Sequence, residues 1–248
     1  MAKKNATAPV ATPAVLDPTT SAEASELTPP NRGGAGGGAA YLLEKVDEAT
    51  GEVQLLPRFR YLPGYPRQIR FDAKAGQFNI NGITPLGNSI SFIPLAWRVF
   101  HDDILNMGRK LWAELFFADE KGAICAVLFH GYSVENLYRL IEPLFYDELT
   151  LADVVVKVQA SKKETTKDGK KATYYIAEFS YEATDPQEVQ ARRDFARDFS
   201  IWREETSTGA ADVRISHGYR KPKAEPVPLE LPEGEGSATP AIETAQAA

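Results

Sequence analysis

Of the 25 aromatic residues, 24 lie between Tyr41 and Thr206; none precedes Tyr41 and only Tyr219 follows. Aromatic side chains supply much of the apolar area that a core buries, so this distribution confines any substantial core to that span. Residues 1–40 and 207–248 hold 10 of the 17 prolines and nine of the 18 glycines, and are rich in Ala and Thr. Such segments bury too little apolar surface to offset their ordering entropy. The expectation is a single domain over residues 41–206, with a core at 89–181 and a helix at 186–205. A disordered N-terminal tail (1–40) and a disordered acidic C-terminal tail (207–248) flank it. The glycine run at 33–38 lacks the Lys-Ser/Thr of a phosphate loop and reads as a linker.

Several function classes drop out. Cys125 is the only cysteine, so no intrachain disulfide forms and a reducing compartment fits. His101, His130 and His217 are scattered, without metal-ligand spacing, and no cofactor is expected. No apolar run approaches the ~18 residues of a membrane span. His101 beside Asp102 and Asp103 does not make an acid–base site, because neighbours on a strand point to opposite faces. No nucleophile motif is recognisable. Cys125, in an apolar run, reads as core. The expectation is a soluble cytoplasmic protein that is not an enzyme.

The formal charge of −6 argues at first against a polyanionic partner. Its distribution argues otherwise. Residues 57–74 carry Arg58, Arg60, Arg67, Arg70 and Lys74 against Asp72, interleaved with Phe59, Tyr61, Tyr65 and Phe71. Residues 157–171 carry Lys157, Lys162, Lys163, Lys167, Lys170 and Lys171 against Glu164 and Asp168, followed by Tyr174 and Tyr175. Cations neutralise phosphates and release counterions. Aromatic rings stack on bases at ~1–3 kcal/mol each with little sequence preference. Trp97 beside Arg98, and Trp112 on the strand face that shows Glu114, are further stacking candidates. The bland readings are a solvated hairpin tip for the lysines and an edge strand with core aromatics for 58–70.

Periodicity orders the elements. Residues 41–56 read as a strand pair, and 68–71 with 77–80 as a hairpin. Strands follow at 89–100, 111–118 and 123–130, the last two joined by a polar turn ending in Gly122. Leu137, Leu140, Ile141, Leu144 and Phe145 mark a helix over 134–149, with Ser133 as N-cap and Pro143 as a kink or end. Strands at 154–160 and 172–181 follow, then a helix opened by Asp185-Pro186-Gln187-Glu188 and running to Glu205. Its mixed Arg and Asp read as a salt-bridged surface. The predicted fold is mainly β: a five-stranded OB-like barrel with a helix between its third and fourth strands, extra N-terminal strands and a C-terminal helix.

The segments LWAELFFADEKGAICAVLFHGYS and VVVKVQASKKETTKDGKKATYYIAEFSY, with the helix between them, resemble OB-fold single-stranded DNA-binding proteins of the divergent phage and mobile-element type. The resemblance covers about 90–125 residues and rests on element order, not on a diagnostic motif. It implies strand binding in DNA replication or recombination in a bacterial or phage-infected cell, as a homo-oligomer. It also implies an acidic tail that recruits other replication or recombination proteins. Residues 224–248 carry five acids and no base, but lack the apolar-acidic tip of bacterial members. Single-stranded RNA fits the same residues, since nothing here reads the 2′-hydroxyl. The alternative is a protein-interaction or structural module built on the same barrel.

Overall fold

A computed structural model describes residues 38–167 and 170–222. Residues 1–37 of the expected tail 1–40, residues 223–248 of the expected tail 207–248, and the turn at Asp168-Gly169 lie outside the described residues. The fold is mainly β with two helices. Among the described residues, strands β1 (Leu42–Val46) and β2 (Val53–Pro57) pair only with each other. β3 (Arg67–Asp72), β4 (Gln77–Ile80) and β5 (Thr84–Gly87) form a meander. The expected strand at 89–100 is two strands, β6 (Ser89–Phe92) and β7 (Pro94–Asp103). They part at Ile93, because Pro94 has no amide to continue one ladder. β8 (Arg109–Ala118), β9 (Ile124–His130), β10 (Val154–Lys167), β11 (Lys170–Ala183) and β12 (Asp212–His217) complete the set.

Two sheets meet at that break. β6 pairs with β10 in the order β11-β10-β6, and β7 joins the larger sheet β12-β7-β8-β9-β3-β4-β5. The expected barrel strands and their helix are therefore present in order, but the sheets do not close into a barrel. The reason lies in the two edges that would have to meet. The outer edge of β9 is taken by β3, which pairs with it in parallel through Arg67, Gln68 and Ile69. The edge of β11 is taken by side chains of helix α1 (Tyr132–Tyr146): the amide of Ala177 donates to Ser133 Oγ at 3.0 Å, and Asn136 Nδ2 donates to the Ala177 carbonyl at 2.9 Å. Ser133 is thus buried as an edge acceptor and not the N-cap, which is Gly131. Pro143 sits inside α1, which runs three residues further to Tyr146.

Helix α2 (Pro186–Asp198) starts as its sequence dictates, with the Asp185 carboxylate accepting from the Gln187 amide at 2.8 Å and Pro at the first turn. It ends at Asp198 and not at Glu205. The chain then makes isolated bridges at Ile201 and Arg203 and a 3-10 turn at Glu204–Thr206, and the described fold extends past the expected boundary at Thr206. β12 pairs antiparallel with β7, and the carbonyl of Ile201 accepts from the Arg220 amide at 2.9 Å.

β8 is buried along most of its length on both faces. One face, with Ala113 and Leu115 and the neighbouring Val127 of β9, packs against α1 and the valines of β10. The other, with Phe116 and Ala118 and the neighbouring Ala126 of β9, packs against Phe59, Phe195 of α2 and Ile201. Cys125 is fully buried, and burial pushes its thiol up to about 12, as a packed residue should show.

Two histidines make the fold pH-sensitive. His217 stacks on Trp97 with rings 13° apart, and His130 meets the Trp112 ring edge-on at 5.2 Å. Burial holds the His217 imidazole below its ordinary value, and at the more exposed His130 partial loss of water and the charge of Lys110 act in the same direction. The unfolded chain therefore binds protons more readily, and this contribution is complete above about pH 6.5 and lost as pH falls below it. Urea midpoints are expected to drop from pH 7 to pH 5, with a shallower drop in a His130→Gln/His217→Gln variant.

Candidate nucleic-acid interface

The arginine-rich segment folds into the wall of an open cleft of about 870 Å³. Arg60, Tyr61, Tyr65 and Arg67 line it, joined by Gln68, Asn81, Arg203 and Glu205. The Tyr61 hydroxyl builds the local frame. It accepts from the amides of Gly64 and Trp202 at 3.0 Å each and donates to the Trp202 carbonyl at 2.7 Å. This seats Gly64 and Pro66 against the body of the fold and leaves Leu62 67% and Tyr65 64% exposed at the rim. Arg60 is held by its main chain, which pairs with Gly122 and Ile124, and its guanidinium donates to the Lys121 carbonyl at 2.6 Å.

Not every expected cation is available. Arg67 binds Asp119 at 2.6 Å, and Arg58 grips Glu188 through two bonds of 2.6 and 2.7 Å. Burial would raise the Glu188 carboxyl, but the bonds from Arg58 and Arg192 prevail and hold it below its usual range. Arg58 is thus a clamp between β2 and α2. Lys157 pairs with Glu182, Lys162 with Glu164 and Lys163 with Glu178. Arg60, Arg70, Lys74, Lys121, Lys170 and Lys171 make no ion pair among the described residues. The side chain of Lys167 lies outside the described set.

Four expected contact residues are core. Phe59 is 3% exposed, under the guanidinium of Arg192. Trp97 and Trp112 are buried on opposite faces of the β7–β8 pair. Arg98 is 2% exposed, with its guanidinium 3.9 Å from the Phe100 ring centroid and 4.1 Å from that of Tyr219. It pairs with Glu114 at 2.8 Å and donates to the carbonyl and hydroxyl of Thr206. The outer sheet face that would display Arg98 and Trp112 is covered by α2 and the segment after it. Glu114 is therefore a buried counter-ion and does not mark a solvent face.

The lysine-rich hairpin is longer than expected. β10 and β11 pair over 14 residues each, but only Val156–Gln159 also pair with β6. Beyond Ala160 the two strands form an arm. Opposite residues share a face, so Lys163 and Tyr174 lie on one side and Lys162 and Tyr175 on the other. The arm is not isolated. The Tyr175 amide donates to the Ala73 carbonyl at 2.8 Å, and its ring lies on Gly76 in the β3–β4 turn. Gly76 has φ +68°, and a Cβ there would sit 2.5 Å from that ring. The two positive segments, about 90 residues apart in sequence, thus adjoin at Lys74 and Tyr175.

No protein family, curated protein or solved structure matches this chain. Its residues alone therefore speak for its function. Among the described residues no cluster of His, Cys, Asp and Glu could hold a metal ion, and no helix is long and apolar enough to cross a membrane. Sequence reasoning missed Leu62, Gln68, Asn81, Arg203 and Lys121 as neighbours of the cleft or its wall. Only the Pro-Gly-Tyr-Pro turn signalled that this stretch leaves the sheet.

Proposed function

We propose that this chain is a non-enzymatic binder of single-stranded DNA, serving replication or recombination. The strand's phosphates run from Arg60 and Arg70, which make no ion pair among the described residues, past Lys74 to Lys170 and Lys171, with Tyr65 offering a ring face to a base. The observation that carries this reading is the docking of the β3–β4 turn on Tyr175. It brings the ends of two positive segments side by side, which a sequence alone leaves separate. The bent path β10-β6, then β7-β8-β9, with a helix after β9, supports an opened OB-like arrangement. In this version the face carrying Arg98 and Trp112 is covered, and the rim at Arg60–Arg70 takes its place.

The test is an anisotropy titration of labelled oligo-dT at several salt concentrations. Arg60→Glu/Lys170→Glu/Lys171→Glu alters only side chains without ion pairs among the described residues, so the fold should persist. Affinity is expected to fall at least ~10-fold, with a salt slope shallower by about 2, given ~0.7 per phosphate contact on a single strand. Absence of wild-type binding at low salt, or an unchanged affinity in the variant, overturns the reading.

A further inference from the structure

Among the described residues the β1–β2 ribbon pairs with no other strand. An isolated two-stranded ribbon is marginal in water, yet this one displays apolar side chains: Val46 is 55%, Val53 59% and Leu55 54% exposed. The register sorts them. Leu42 faces Pro57, Glu44 faces Leu55 and Val46 faces Val53, so one side of the ribbon is apolar apart from Glu44. The ribbon and its turn carry Glu44, Asp47, Glu48 and Glu52 against Lys45, a net −3. Asp47 accepts from the amides of Ala49 and Thr50 at 2.9 and 3.1 Å, which orders the acidic tip and holds its carboxyl below the usual range.

A matching surface lies elsewhere on the molecule. A groove of about 820 Å³ runs between β6, whose second edge is unpaired, and the β3–β5 meander. Its walls include Ile69, Ile80, Leu86, Ile90, Phe92 and Phe117. Its charged lining is Arg58, Arg67, Lys121 and Arg192 against Asp119 and Glu120; Glu188 behind it binds both Arg58 and Arg192, which leaves the groove a net +1. Arg192 is 9% exposed, and its Nε has no hydrogen-bond partner. No residue of the ribbon lines this groove in its own chain, although the ribbon is rooted at Arg58 on the groove's wall.

We propose that the β1–β2 ribbon of one copy docks its apolar face in the β6 groove of a second copy, with its acidic tip against the groove's cations. Two observations select a second copy of this chain as the occupant. Among the described residues the ribbon's apolar side has no cover beyond the packing of Leu42 on the core, and its charge is opposite to that of the groove. Each copy offers one ribbon and one groove, so two copies can exchange ribbons in a two-fold dimer, and a one-way contact runs on into a ring or a row. This interface stands independently of the nucleic-acid reading.

Sedimentation velocity on the full chain tests it. Wild type is expected to form species of two or more chains as concentration rises towards about 100 µM, the range of a weak contact. Val53→Asp/Leu55→Asp removes the ribbon's face, and Leu86→Asp/Lys121→Glu removes the groove. Each variant alone should sediment as a monomer, while an equimolar mixture should form a two-chain species and nothing larger. Should circular dichroism show that Leu86→Asp disturbs folding, Lys121→Glu alone replaces it, mixed with Glu48→Lys/Glu52→Lys; Lys121→Glu introduced into the latter chain then restores assembly. A monomeric wild type, a ribbon variant that assembles normally, or a mixture that fails to pair overturns the proposal.

Discussion

Replacing Glu114 by alanine is expected to lower the unfolding free energy by about 3–5 kcal/mol, the usual cost of removing one partner of a buried ion pair. Glu114 is 0% exposed and Arg98 2%. The Glu114 carboxylate also accepts from the Thr206 hydroxyl at 2.8 and 3.0 Å and lies 3.7 Å from Arg203. Its loss strands the Arg98 guanidinium between Phe100 and Tyr219 and loosens the segment that covers the sheet. Urea denaturation should show the midpoint fall with little change in slope. Arg98→Met/Glu114→Leu should recover much of the loss, because an apolar pair of similar volume carries no stranded charge. Equal losses in the single and double variants would mean that packing, and not charge, holds this site.

The second large effect separates a core tryptophan from a rim tyrosine. Trp112 is 1% exposed, packed with Phe100 and Ile104, and its indole nitrogen donates to the Asp102 carbonyl at 3.1 Å. Trp112→Ala should cost about 3–5 kcal/mol of stability through the cavity it leaves. The fraction that remains folded should bind oligo-dT as wild type does. Tyr65→Ala should do the reverse. Its ring is 64% exposed, so stability should stay within about 0.5 kcal/mol, while affinity falls by the ~1–3 kcal/mol of one stacked base. Stability comes from denaturation and affinity from anisotropy. If Trp112→Ala loses binding while still folded, the covered face opens during binding and the assignment of contacts reverses.

Much of the architecture was legible. The alternation in 111–118 and 123–130 around a polar turn specified β8 and β9, because a hairpin is set by contacts near in sequence. Asp185-Pro186 specified the start of α2 for the same reason, since a cap is a local hydrogen bond. The errors share one physical origin. Ser133 looked like a cap because its type favours that role, yet its hydroxyl is used by a strand edge 44 residues away. The helix expected to reach Glu205 stops at Asp198, because the residues after it are recruited to cover Phe116 and Arg98. Trp112 and Glu114 sat on one strand face, and only the layer laid over that face decides whether such a pair meets water or core.

The sequence by itself determined where a core exists, since aromatic residues outside 41–206 are almost absent. It also determined which stretches carry excess positive charge, since charge is a property of residue types. Tertiary structure alone decided which of those charges are free. Arg58, Arg67 and Arg98 find carboxylates 130, 52 and 16 residues away, while Arg60 and Arg70 find none among the described residues. It also decided that the barrel stays open. Whether β9 meets β11 depends on which strand or side chain reaches each edge first, and backbone edges are alike in every sequence; β3 and α1 occupy them here.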